Sequence, residues 1–139
     1  MFRILIAVLV FLAPTAPAFA SQCAGVDLAI GSVSVKSVST SGGMNSYKIT
    51  GTVTNVGSAS QVANPLQSVD IYRGKEKLDS QSFPALKAGE SYMFSYVSMR
   101  AASAGNGTTR LRFQLNVRHP APADSQTCNM ANDSFTLTF

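Results

Sequence analysis

The chain has 139 residues, of which 45% are hydrophobic and 13% are charged, and its formal net charge is +4 at pH 7. This length corresponds to one domain, and the excess of hydrophobic over charged residues excludes an intrinsically disordered protein. The basic residues form no cluster along the sequence, so we expect no nucleic-acid partner.

The first twenty residues have the three parts of a secretory signal peptide. Arg3 precedes an apolar run over residues 4–13, and an A-x-A sequence ends at Ala20. This run is much shorter than the roughly 20 residues that a membrane-spanning helix needs. We therefore expect residues 1–20 to be cleaved, leaving one domain over residues 21–139. That domain would be exported, either periplasmic or secreted, and would have no transmembrane segment.

Short segments of alternating hydrophobic and polar residues follow, and this period of two is typical of half-buried β-strands. The clearest segment runs from Arg110 to Arg118. The other predicted strands contain, in chain order, Val26 to Val35, Tyr47 to Val53, Val69 to Ile71, Leu78 to Phe83, Tyr92 to Tyr96 and Phe135 to Phe139. About seven short strands with no helical period between them predict an all-β protein, an immunoglobulin-like antiparallel β-sandwich.

Turn-forming sequences separate several of the predicted strands. Residues 41–43, Ser-Gly-Gly, separate the first two predicted strands, and residues 73–75, Arg-Gly-Lys, predict a tight hairpin. Residues 84–89 and 104–107, which begin or end with proline or glycine, predict turns before the fifth and sixth strands.

The two cysteines, Cys23 and Cys128, are predicted to form one disulfide, because an even cysteine count in an exported chain is typical of structural pairing. Cys23 precedes the first predicted strand and Cys128 precedes the last. If each strand reverses direction, both positions fall at the same end of the sandwich. A redox or metal-binding pair is the alternative, but such pairs usually have close spacing such as C-x-x-C.

Several segments taken in order suggest a family. Residues 47–57 form a strand that ends in a V-x-N-x-G turn, residues 69–75 form a hairpin, and residues 86–91 read L-x-x-G-E-S. Asn132 stands just before the final strand. In order and spacing these segments resemble the CARDB domain, an immunoglobulin-like module named for suggested roles in bacterial cell adhesion. The resemblance covers nearly all of residues 21–139 and implies binding or scaffolding rather than catalysis.

The family-like turn residues are expected to be structural. Asn55 can bond its own backbone within a turn, and Gly57 can adopt a positive φ. Gly89 and Glu90 are interpreted in the same way, as a turn into the fifth strand.

No nucleophile–base pair and no cluster of metal ligands is evident in the sequence, so we expect no catalytic residue, no metal and no cofactor. The sequence predicts a non-catalytic binding or adhesion module that recognises a protein or cell-surface partner through loops or an edge strand. A small periplasmic enzyme inhibitor, or a carrier of a metal or ligand, is the alternative. The oligomeric state is left open.

The first candidate binding region is the long loop that begins at residue 119, because long loops on a rigid sandwich commonly carry recognition. Its expected partner contacts are His119, Pro120, Pro122, Asp124 and Asn129. A calcium site in this loop is disfavoured, because two aspartates are too few carboxylates for an ion that takes six to eight oxygens.

The second candidate region is the polar face of the sixth predicted strand. Arg110, Arg112 and Arg118 share this face, and a polyanion such as a cell-surface glycan would find a basic row there. More often such a row is an ordinary solvated face whose arginines pair with neighbours, here Asp70.

Overall fold

The computed structural model describes residues 24–62, 66–118 and 130–139. These residues form eight β-strands and one short 3₁₀ helix, Met130–Asn132. The strands are β1 Leu28–Ile30, β2 Ser34–Ser41, β3 Met44–Asn55, β4 Leu66–Arg73, β5 Glu76–Ser82, β6 Ser91–Ala101, β7 Arg110–Arg118 and β8 Ser134–Thr138. No helix in these three ranges is long and apolar enough to cross a membrane.

The strands form two antiparallel sheets. In sheet 1, β3 lies at the centre, β6 pairs along one side, and β1 and β2 pair in succession along the other. Sheet 2 has the order β5-β4-β7-β8. The predicted fold is therefore confirmed as an all-β, immunoglobulin-like antiparallel β-sandwich.

The first predicted strand is divided into two strands, and this division gives eight strands where the sequence predicted about seven. The chain leaves the ladder after Ile30, where the Gly31 amide donates to the Thr52 carbonyl oxygen at 2.8 Å. Gly31 approaches β3 closely, because a Cβ atom at this position would lie 2.4 Å from Thr52 Oγ1. Pairing with β3 resumes at Ser34, and a β-bulge follows between Val35 and Ser37.

The alternating residues of both sheets meet in one hydrophobic core. On β7, Leu111 and Phe113 are completely buried while the arginines between and beside them are exposed. Phe94 of β6 faces Phe113 across the core, with ring centroids 5.7 Å apart. The period of two in the sequence therefore results from this burial of every second side chain.

The hairpin between β2 and β3 shows why glycine is needed at a tight turn. Gly42 and Gly43 have φ angles of 56° and 74°, the left-handed region that other residues disfavour. Two-residue turns with both φ angles positive match the twist of paired strands. The predicted break at residues 41–43 is therefore a two-residue hairpin turn, and the hairpin predicted at residues 73–75 is confirmed between β4 and β5.

Asn55 is a turn residue, as predicted, but its role extends beyond its own turn. Its side chain is fully buried. Its Oδ1 atom accepts hydrogen bonds from the Asp27 and Gly57 amides, and its Nδ2 atom donates to the Ala59 and Leu86 carbonyl oxygens. One side chain therefore joins three segments at this end of the sandwich.

The predicted reason for Gly57 was wrong. Gly57 is not among the glycines with a positive φ in the described ranges. It is required by close packing instead, because an added Cβ atom would lie 2.1 Å from the Gly25 carbonyl oxygen. The prediction for Gly89 is confirmed, since its φ is 77° and Glu90 Oε2 accepts the Lys87 amide in the same turn.

Several predictions concern residues outside the described ranges. They are the signal peptide over residues 1–20, the Cys23–Cys128 disulfide, and the loop contacts His119, Pro120, Pro122, Asp124 and Asn129. All of these remain predictions.

Candidate functional site

A surface groove of about 950 Å³ lies where the β4–β5 hairpin, the end of β6 and the beginning of β7 meet. Five basic side chains line it, and none of the described residues in its walls is acidic. These five are Arg73, Lys75, Arg100, Arg110 and Arg112. We call this depression the basic groove. Its walls are completed by three threonines and Met99.

Arg100 holds the walls of the basic groove in place. Its Nε atom donates to the Tyr47 hydroxyl at 2.9 Å, and its Nη1 atom donates to Thr108 Oγ1 at 2.9 Å and to the Phe139 carbonyl oxygen at 2.8 Å. Its guanidinium also lies 4.5 Å from the centre of the Tyr47 ring. Desolvation would raise the pKa of Tyr47, but hydrogen bonds with Asn45 and Arg100 and the Arg100 charge lower it below its ordinary value. Arg100 is therefore mainly a positioning residue.

Three other cations of the basic groove have no hydrogen-bonding or ion-pair partner among the described residues. In the described part of the chain, the side chains of Arg73, Lys75 and Arg110 make no hydrogen bond and no ion pair. Glu76 is opposite Arg73 in the β4–β5 register, but it forms no ion pair with a described residue. Charges that converge without counterions create a positive potential that an anionic ligand would neutralise.

A second, smaller depression of about 220 Å³ lies on the outer face of sheet 2, toward the other end of β7. We call it the polar cleft. It contains two cationic side chains, Lys77 and Arg118, and otherwise mostly hydroxyl and amide groups. The latter belong to Gln67, Ser68, Ser80, Ser82 and Asn116.

Asp70 does not line the polar cleft itself, but it holds four of the side chains that do. Its side chain is only 3% exposed, although it points to the outer face of sheet 2. Its oxygens accept hydrogen bonds from Ser80 Oγ at 2.6 Å, Ser68 Oγ at 2.9 Å, Asn116 Nδ2 at 3.0 Å and Lys77 Nζ at 3.3 Å. Burial alone would raise the pKa of Asp70, but these bonds outweigh it and lower the pKa to about 2.

The lowered pKa predicts that Asp70 stabilises the fold above pH 4 and loses this effect in acid. The charged form is favoured in the folded state, so stability is lost as the pH falls from the unfolded-state pKa of 3.8 toward about 2. The loss corresponds to about 2 kcal/mol of unfolding free energy. The wild type should unfold with a higher free energy than Asp70→Asn at pH 5. We expect this difference to decrease by about 2 kcal/mol when the pH is lowered to 2.

Denaturant unfolding at several pH values would measure this difference. Glu76→Gln is the matched control, because Glu76 is exposed and makes no ion pair with a described residue. The difference in unfolding free energy between this variant and the wild type should stay nearly constant over the same pH range. A difference between wild type and Asp70→Asn that does not change with pH would contradict the prediction.

The three arginines predicted as one basic row are divided between the two depressions. Arg110 and Arg112 line the basic groove, whereas Arg118 lines the polar cleft. The suggested pairing of these arginines with Asp70 is wrong, because Lys77 of the neighbouring strand occupies the carboxylate. Arg112 instead stacks on the ring of Tyr72, which lies opposite it in β4, with its guanidinium 4.7 Å from the ring centroid.

The sequence analysis missed Arg73, Lys75 and Arg100 as members of the site. Arg73 and Lys75 flank a hairpin glycine, and a basic hairpin tip was the available signal. Arg100 gave no signal, because its position beside Arg73 and Lys75 depends on the packing of the two sheets.

Comparisons of the chain with protein-family models, with curated proteins and with solved structures gave no significant match. Within the described ranges, no group of three or more histidine, cysteine, aspartate or glutamate side chains is arranged to hold a metal ion.

Proposed function

We propose that this protein is an exported, non-catalytic module of the CARDB type that binds an anionic component of the cell surface through the basic groove. The observation that carries the proposal is the convergence of five basic side chains in one groove whose described walls contain no acid. Clefts lined by one sign of charge raise the local concentration of oppositely charged ligands.

The groove is favoured over strand pairing at the free edge of β6 as the mode of binding. β6 is an edge strand of sheet 1 and carries exposed Met93 and Val97. However, Gln81 Nε2 of β5 already donates to the Ser95 carbonyl oxygen of this strand at 2.6 Å. A partner strand would have to displace that contact, whereas the basic groove is open.

Binding of dextran sulfate tests the proposal. We expect the double variant Lys75→Gln/Arg110→Gln to weaken binding by roughly tenfold, because two exposed ion pairs are lost. The slope of the logarithm of affinity against the logarithm of salt concentration should fall by about one for each cation removed. Isothermal titration calorimetry at several salt concentrations measures both quantities.

Lys36→Gln/Lys48→Gln is the matched control, because it removes the same charge from exposed positions of sheet 1. The control should bind nearly as tightly as the wild type. Equal losses in both double variants would show that only the net charge matters, and absence of binding in the wild type would refute the proposal. Stoichiometric metal in the purified protein would favour the carrier alternative.

A further inference from the structure

We propose that the anionic ligand is an acidic polysaccharide that lies along β7 and occupies both the basic groove and the polar cleft. This inference rests on the proposed function, and it adds a ligand class and a second subsite. It is carried by the position of the two depressions on one strand and by the different chemistry of their walls.

The two depressions are connected by the outer face of β7. Arg110 and Arg112 lie in the basic groove and Arg118 lies in the polar cleft, with only Gln114 and Asn116 between them on that face. A strand rises about 3.3 Å per residue, so Arg112 and Arg118 are separated by roughly 20 Å. A single small anion cannot reach both arginines, whereas a linear chain can.

The polar cleft presents acceptors as well as cations. The Ser68 and Ser80 hydroxyl groups donate their hydrogens to the Asp70 carboxylate. Their oxygen lone pairs are therefore available to groups that donate hydrogen bonds, and Asn116 Oδ1 is available in the same way because its Nδ2 group is held by Asp70. Sugar hydroxyls donate hydrogen bonds, whereas bare phosphate or sulfate oxygens only accept them. Arg118 provides the cation for an acidic substituent on the same sugar chain.

The aromatic surface that a nucleic acid would use is covered. Binding of single strands relies on bases that stack on exposed aromatic rings. Tyr72 is the aromatic residue of β4 opposite Arg112, and the Arg112 guanidinium lies 4.7 Å from its ring centroid. No aromatic side chain lines either depression among the described residues. The walls therefore favour a polyhydroxylated polyanion.

The length dependence of binding tests the inference. Heparin oligosaccharides from disaccharide to decasaccharide serve as probes, with polyglutamate and oligothymidylate of matched charge for comparison. We expect the decasaccharide to bind at least about tenfold more tightly than the disaccharide, because it engages two subsites. Arg118→Gln should remove most of this gain in affinity. Ser80→Ala should weaken binding of the decasaccharide but not of polyglutamate.

Arg118→Gln should fold normally, since Arg118 is exposed and its side chain makes no hydrogen bond within the described ranges. Lys48→Gln on sheet 1 is the control for loss of one charge. If disaccharide binding persists but Arg118→Gln does not change the length dependence, the second subsite is refuted and the basic groove stands. If polyglutamate or oligothymidylate binds as tightly as the decasaccharide, the polysaccharide assignment is wrong. If no anion binds, the proposed function itself fails.

Discussion

Replacement of Asn55 by alanine is expected to lower the free energy of unfolding by at least about 3 kcal/mol, because each buried polar group left without a partner costs about 1–3 kcal/mol. The substitution removes the acceptor of the Asp27 and Gly57 amides and a donor to the Ala59 carbonyl oxygen. The site is fully buried and tightly packed, since a Cβ atom on Gly57 would already clash with the backbone at residue 25. Chemical denaturation with a cooperative two-state transition measures the change.

Asn45→Ala is the matched control on the same strand. The Asn45 side chain is half-buried, and among the described residues it forms hydrogen bonds only with the side chains of Thr40 and Tyr47, so we expect the unfolding free energy to fall by less than about 1 kcal/mol. Asn55→Asp should also be destabilised near neutral pH, because a carboxylate would face the Ala59 and Leu86 carbonyl oxygens. If Asn45→Ala and Asn55→Ala lower the free energy of unfolding equally, the loop after β3 must reorganise around the missing amide of Asn55.

Loss of the predicted disulfide is the second large effect. A bridge between Cys23 and Cys128 would close a loop of about 100 residues, for which the chain-entropy model gives about 4.7 kcal/mol, and measured values are commonly 2–4 kcal/mol. Cys23 stands shortly before β1 and Cys128 shortly before the 3₁₀ helix, and these two elements contact each other. We therefore expect the double variant Cys23→Ser/Cys128→Ser to unfold at much lower denaturant concentration than the wild type.

Mass spectrometry of the alkylated protein, with and without reductant, would show whether the bridge is present. Reduction of the wild type should reproduce the instability of the double variant and should not change the double variant itself. Two alkylated cysteines in the unreduced, exported protein would contradict the pairing. The test is independent of binding in the basic groove, because this groove lies beside the β4–β5 hairpin and the β6–β7 connection, at the opposite end of the strands from the beginning of β1.

The two binding experiments separate a local site from a general effect of charge. The protein has a formal charge of +4, and any protein of this kind associates weakly with polyanions at low salt. Matched lysine variants on sheet 1 are therefore essential controls, since they change the net charge without changing either depression. If the ligand binds along β7, the loss of affinity depends on which cationic residue is removed. If binding is non-specific, it depends only on the net charge.

Local sequence patterns were sufficient to predict most of the strands, the hairpin at residues 73–75 and the fold class. Alternation between Leu111 and Leu115, and glycines such as Gly42 and Gly43, act through local geometry that a sequence displays directly. The role of Asn55 as a turn residue was predicted in the same way. The resemblance to the CARDB domain remains part of the proposal.

The place where the basic side chains converge depends on how the two sheets pack. Arg73, Arg100 and Arg110 belong to three different strands in two sheets, so no local pattern groups them. The alternation placed Arg118 with Arg110 on one face, but the length of β7 separates them into two depressions. Burial of Asp70 likewise depends on side chains from three strands. Such sites depend on long-range packing, which hydrophobic periodicity does not specify.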